Sequence, residues 1–317
     1  MTRSKRSGRR GPASEKIAVV TIVALLGAFA GTASAAVSAG GASLPGSAPT
    51  PKGSPTGAAD PAPNSGAVTL LNATATPRKS FFFGYRYPRF GFAIASTQAQ
   101  NDLQVNVVNA GGEVVRSFFR NDVAPEVPTS VRWDGTTADG RPARNGRYTF
   151  QVVPQGASTA ARRATASTAV TAGFALYGYA FPILGQHEFS LDGGRFGAAR
   201  SGHTHQGQDV MAACGIPLVA ARGGTVQYSE YEANAGNYVV IDGKGSPNDF
   251  MYAHLAEPSP LLPGDSVRTG QPIGIVGDTG DASACHLHFE MWGAPGWYEG
   301  GSPFDPLADL EKWDAYS

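Results

Sequence analysis

Residues 285–292 read Cys-His-Leu-His-Phe-Glu-Met-Trp, and their alternation decides the fold class. Successive side chains of a strand point to opposite faces, so His286 and His288 share one face while Leu287 and Phe289 take the other. Two imidazoles side by side on a strand suit a metal site in which one ligates and its neighbour serves the reaction. Runs of the same β character precede this one: QGQDVMA, GIPLVAA, GGTVQYSEY, NYVVIDG, DFMYAHL and PIGIVG, punctuated throughout by Gly and Pro. No long apolar pattern of period 3.6 interrupts them, apart from a short terminal helix expected at Pro306 to Trp313. The C-terminal half is therefore expected to be mostly antiparallel β.

The chain has six histidines, and five of them fall in three short clusters. The first cluster contains His205-x-Gly207-x-Asp209. In an ideal strand, residues four apart face the same way but sit about 13 Å apart, too far to share one ion. The chain must bend between them, and Gly207 supplies the bend and leaves room for an ion. A helix would also bring the pair together, but Gly207 and the surrounding β pattern argue against one. His254, in Tyr252-Ala-His-Leu, is uninformative alone. His187 stands apart and reads as structural. His203 lacks the Gly-x-Asp spacing, which favours a role beside the ligands or against substrate.

Taken together, Arg200-Ser-Gly-His-Thr-His205-Gln-Gly-Gln-Asp209, Tyr252-Ala-His254-Leu, and Gly277-Asp-Thr-Gly280 leading to His286-Leu-His288-Phe-Glu resemble the lysostaphin-type (LytM-type) zinc metalloendopeptidases, which cut peptides of bacterial cell walls. The resemblance covers about residues 178–310. It implies His205, Asp209 and His288 as ligands of one Zn²⁺ per chain, with His254 and His286 as the catalytic pair. Two imidazoles and one carboxylate leave a tetrahedral ion with a fourth position open, as in catalytic rather than structural zinc sites. Two non-ligating histidines can then divide the work of taking up a proton and stabilising an oxyanion.

Only two cysteines occur, Cys214 and Cys285, and, in a chain expected to work outside the cytoplasm, they are expected to form a disulfide. The competing role, Cys285 as a zinc ligand, is disfavoured by strand parity, which turns it away from His286 and His288.

Upstream, period-two runs at Phe81, Phe83, Tyr85 and Tyr87, at Phe90, Phe92 and Ile94, and at Leu103, Val105 and Val107 read as half-buried strands. With VRW (131–133), YTFQVV (148–153) and the turn clusters between them, they describe a small β-sandwich over 79–155. Trp133-Asp-Gly135, Gly140, Gly146 and Tyr148 resemble the immunoglobulin-like module of flagellar hook-capping proteins, which implies a fold and no chemistry. Trp133 and Tyr148 are expected to pack in its core. The whole chain thus reads as all-β, an Ig-like β-sandwich followed, after a connector at 156–172, by a β-sheet metallopeptidase domain at 173–317.

The first residues complete the organisation. A basic leader, the apolar run IAVVTIVALLGAFA and Ala33-Ser34-Ala35 have the order of a secretory signal peptide over 1–35. The alternative is an uncleaved anchor, since Ile17 to Val37 is just long enough to span a bilayer. Residues 36–78, rich in Ala, Gly, Ser, Pro and Thr, read as a flexible tether. The working part is expected to be secreted or associated with the cell wall.

Lys+Arg (25) balance Asp+Glu (25), so nothing points to nucleic acid, and no second apolar run supports multi-span transport. The balance hides a segregation. Residues 78–163 hold 12 basic against 6 acidic residues, and 164–317 hold 6 against 17. A basic sandwich suits attachment to anionic wall polymers or membrane surfaces by non-specific electrostatics. The leading expectation is an endopeptidase acting on peptidoglycan stem peptides or cross-links. The alternative is a non-catalytic wall-binding protein or an activator of another hydrolase, which would have no need of the complete histidine set.

Overall fold

The computed structural model describes residues 68–156 and 172–317. The leader, most of the tether and nearly all of the connector lie outside the described residues. Eight strands build the first domain: β1 (Thr69–Thr76), β2 (Lys79–Phe81), β3 (Arg89–Ala95), β4 (Asn101–Asn109), β5 (Val114–Val123), β6 (Thr129–Arg132), β7 (Gly146–Pro154) and β8 (Ala172–Tyr177). They form two sheets, β1-β3-β6 and β2-β8-β7-β4-β5. The alternating residues expected inside are inside: Phe90, Ile94, Leu103, Val105, Val107 and Phe150 are buried. Trp133 packs edge-on against Tyr148 at 5.0 Å between ring centroids and donates from Nε1 to Thr136 O (2.7 Å). Burying an indole this way keeps its one polar atom satisfied, so both aromatics serve the core.

Three sequence expectations need correction here. The tether does not run to residue 78, because Thr69–Thr76 pairs antiparallel with β3. Its apolar side chains are small or few, with Leu70, Ala73 and Ala75 packing on the sandwich core, so its composition imitates a linker. The peptidase domain does not begin at 173. Strand β8 closes the sandwich between β7 and β2, burying Ala172, Phe174 and Leu176. Finally, the aromatic alternation at 81–87 is not a continuous strand: β2 ends at Phe81, Phe83 has φ +47°, and Tyr85 is exposed.

The second domain contains β9 (His187–Phe189), β10 (Gln208–Ala212), β11 (Pro217–Val219), β12 (Gly224–Glu232), β13 (Gly236–Gly243), β14 (Asp249–Leu255), β15 (Ser266–Val267), β16 (Pro272–Ile275), β17 (His286–Trp292), β18 (Pro303–Phe304) and helix α1 (Leu307–Asp314). An eight-stranded antiparallel sheet runs β15-β12-β13-β14-β17-β10-β9, with β18 on β17; β11 and β16 pair separately. One face of the large sheet is sealed. Val239, Ile241, Phe250, Tyr252, Leu287 and Phe289 pack there with Leu218, Ile273 and the α1 residues Leu310 and Trp313. The opposite face carries Met251, Ala253 and Val240, and it is the face to which His286 and His288 project.

The two domains meet through the segment after β2. Thr269 donates from Oγ1 to Phe82 O (2.7 Å) and from its backbone N–H to Phe83 O (3.0 Å), and it accepts from Tyr85 N–H (2.8 Å). Arg222, buried, donates to the carbonyls of Gly178 (2.7 Å) and Lys244 (2.7 and 2.9 Å), and its guanidinium lies 4.2 Å from the Phe82 ring centroid. Arg268 and Lys244 cover the Phe83 ring. Cation–ring contacts thus occupy aromatic faces that the sequence pattern assigned to a strand.

Candidate active site

Asp209 on β10 and His288 on β17 are direct cross-strand partners, and His286 pairs with Met211 one pleat away. His205 precedes β10 and is folded back on it. The turn that allows this passes Gly207, where a Cβ would come 2.4 Å from Phe289 O and 2.9 Å from the His288 ring. Only a residue without a side chain permits that approach.

Three donor atoms converge. His205 Nε2 lies 2.9 Å from His288 Nδ1 and 3.0 Å from Asp209 Oδ1, and His288 Nδ1 is 2.9 Å from the same oxygen. The outer nitrogens fix the tautomers. His205 Nδ1 donates to Arg195 O (2.8 Å), and His288 Nε2 donates to Glu290 Oε1 (2.9 Å). Both inner nitrogens therefore turn lone pairs towards a carboxylate oxygen, an arrangement that needs positive charge at its centre. A proton is one remedy. Burial disfavours the His288 imidazolium, but hydrogen bonds to Asp209 and Glu290 outweigh it and raise its pKa to about 9. A divalent cation is the other, and two imidazoles with one carboxylate are an N/O set suited to zinc. The same three residues are a group able to hold a metal, their ligand atoms lying within 4.8 Å of one another. Burial works against ionisation of Asp209, yet positive charge shared with the adjoining His205 and His288 imidazoles holds its carboxyl well below the usual range. Arg200 Nη2 adds a contact to Oδ2 at 3.2 Å.

His254 and His286 stand beside this set, their ring centroids 4.6 Å apart. Each donates Nδ1–H to a backbone carbonyl, His254 to Thr279 O and His286 to Ala284 O, both at 2.8 Å. This leaves each Nε2 as a proton acceptor. Burial pushes His254 down to about 4 despite the Thr279 carbonyl, so this ring is neutral near pH 7. His286 Nε2 is 3.7 Å from Asp209 Oδ1. A groove of about 820 Å³ lies over all five residues, with His203, Glu232, Asp281 and Tyr298 on its walls.

Cys214 and Cys285 form a disulfide, which anchors the residue immediately before His286. His187 lies outside the groove, against the Phe181 ring and 3.4 Å from Asp314. Sequence reasoning missed Glu290 and Arg200, which contact His288 and Asp209. Strand parity was the available signal for Glu290, since it shares a face with His286 and His288.

Residues 203–306 match peptidase family M23, and residues 88–158 match the FlgD Ig-like domain. Among curated relatives, the chain is 39% identical over 89 residues to the peptidoglycan DD-endopeptidase ShyC of Vibrio cholerae, covering 27% of this chain and 20% of that one. It is 33% identical over 148 residues to a lipoprotein NlpD/LppB homolog of Pseudomonas aeruginosa, covering 46% and 44%. The matches thus span less than half of these relatives' own length. Among solved structures, the catalytic domain of the antimicrobial peptidase lysostaphin from Staphylococcus simulans is similar at 25% identity and a TM-score of 0.35, covering 39% of this chain and 92% of that one. His205, Asp209, His254, His286 and His288 all fall within the matched stretch 203–306, and the chain carries a peptidase family M23 (LytM-type) domain behind a FlgD-type Ig-like domain.

Proposed function

We propose that this chain is a zinc-dependent endopeptidase that hydrolyses peptide bonds of bacterial peptidoglycan outside the cytoplasm. The observation that carries the reading is the convergence of two imidazole lone pairs and a carboxylate oxygen within 3.0 Å, with two further histidines beside them in one groove. His205, Asp209 and His288 would hold the ion. When bound, zinc supplies a Lewis acid for the scissile carbonyl and a nucleophile at neutral pH.

The remaining chemistry belongs to side chains of this protein. His254 and His286, fixed by Thr279 and Ala284, present Nε2 lone pairs, and the one that takes up a proton then has an N–H to donate to the developing oxyanion. That the Vibrio cholerae relative is a peptidoglycan DD-endopeptidase supports peptidoglycan as the substrate class. The basic sandwich supports a second contact, with anionic wall polymers. An activator without catalysis would have no use for His254 and His286 in these positions.

Mass spectrometry of fragments released from purified sacculi tests the reading, because the new termini identify the bond. Peptide cleavage by the wild-type chain and none by His288→Ala is expected. Intact sacculi alongside a digested Gly-rich protein would redirect the enzyme to another substrate.

A further inference from the structure

Glu290 is a buried carboxylate on β17, two residues beyond His288 and on the same sheet face. Burying a charge is costly unless it is paired and hydrogen-bonded. Glu290 meets that condition with three N–H donors: His288 Nε2 reaches Oε1 at 2.9 Å, and Trp292 Nε1 and Trp297 Nε1 reach Oε2 at 2.6 and 3.3 Å. The first contact keeps the proton on Nε2 and so aims Nδ1 at Asp209 and His205. The third comes from the loop at 293–302, whose Trp297 and Tyr298 line the groove. That loop is held at two further points. Trp297 N–H donates to Asp249 Oδ2 (2.8 Å), and the Tyr298 hydroxyl donates to Gln206 Oε1 (3.2 Å), next to His205.

The geometry points to Glu290 as the positioning residue of the metal centre, one that also ties the groove-lining loop to His288 through Trp297. This rests on the zinc reading above. A glutamine could still accept from His288, but its amide N–H₂ would then confront two indole N–H groups, donor against donor. Turned the other way, it would confront His288 instead. Glu290→Gln therefore releases either the ligand or the loop.

The test measures zinc affinity by chelator competition and the visible spectrum of the cobalt(II)-loaded protein, in wild type, Glu290→Gln and Trp297→Phe. Glu290→Gln is expected to bind zinc about 10–100-fold more weakly, with an altered cobalt spectrum. Trp297→Phe keeps an aromatic ring but loses the donor, and is expected to weaken zinc binding by a smaller factor. Wild-type affinity and spectrum in Glu290→Gln overturn the inference while leaving the zinc peptidase intact. If Glu290→Gln fails to fold by circular dichroism, unchanged zinc affinity in Trp297→Phe overturns it. A wild-type chain that binds no zinc overturns both readings, whereas one that binds zinc but leaves sacculi uncut removes only the proposed activity.

Discussion

His288 and Asp209 face each other across the β10–β17 ladder, and their cross-strand pairing sets His288 Nδ1 2.9 Å from Asp209 Oδ1. The proposed ligand pair is thus fixed by sheet register. A one-residue slip of either strand would turn one of the two into the core. Only His205 depends on a turn.

This division separates neighbouring histidines on one strand. His205→Ala, Asp209→Ala and His288→Ala are each expected to lose zinc and activity together, because two remaining ligands hold the ion weakly. His254→Ala and His286→Ala are expected to keep about one zinc per chain while hydrolysis falls by a factor of about 100 to 10,000. Metal analysis beside a sacculus-lysis assay reads both quantities. Zinc lost in His286→Ala but kept in His288→Ala would reverse the assignment.

On the proposed reading, metal and proton compete for His288. Its folded pKa of about 9 lies above the ordinary 6.5, so in the metal-free protein its stabilising effect is full below pH 6.5 and is lost as pH rises through about 9. Zinc uptake near pH 7 should therefore release about one proton from this residue. Titration calorimetry in buffers of differing ionisation enthalpy counts it. Uptake without proton release would mean that His288 Nδ1 is not a ligand atom.

Gly207 is where the ligand turn touches β17. Gly207→Ala would press a methyl group onto Phe289 O and the His288 ring. Overpacking of this kind costs about 1–3 kcal/mol, and here it also displaces a ligand. Lower zinc affinity together with a lower Tm is expected. A fully loaded, fully stable variant would show that the turn has room the structure does not contain.

The Cys214–Cys285 link spans 71 residues of sequence and ends one residue before His286. Removing it with Cys214→Ser and Cys285→Ser is expected to destabilise the domain by up to about 4 kcal/mol in the chain-entropy description. Denaturant titration measures the loss, and equal midpoints with and without the bond would refute it.

Retention of the full chain on cell walls should fall as salt rises, since exposed charges are screened. The exposed Arg144 and Arg147 of the sandwich provide a direct check. Replacing both with Ser should lower retention at low salt and flatten its salt dependence; unchanged retention would exclude the basic module as the attachment site.

The β architecture was legible in the sequence, and so were the two clusters at 205–209 and 286–288, because each of these motifs is local, whereas His254 was uninformative alone. His286 and His288 are two residues apart, and His205 and Asp209 share one turn. What it concealed came from a distance. The carbonyls of Arg195, Thr279 and Ala284 orient three of the imidazoles, yet they are backbone atoms of loops and leave no side-chain signature. Strand β1 looked like tether because Ala73 and Ala75 acquire meaning only against the sandwich core. The aromatics at 81–87 looked like strand because their real partners, Arg222, Lys244 and Arg268, lie more than a hundred residues away.

The contact made by Phe82 changes where this chain can be cut. A fragment starting at residue 173 would strip the ring from the Arg222 guanidinium and leave the Thr269 hydroxyl and backbone without the Phe82 and Phe83 carbonyls. It would also split β8, taking the last strand of the sandwich with the peptidase. Anyone shortening the protein to its groove should therefore keep the sandwich: the smallest piece with an intact surface begins before Thr69, well ahead of His205.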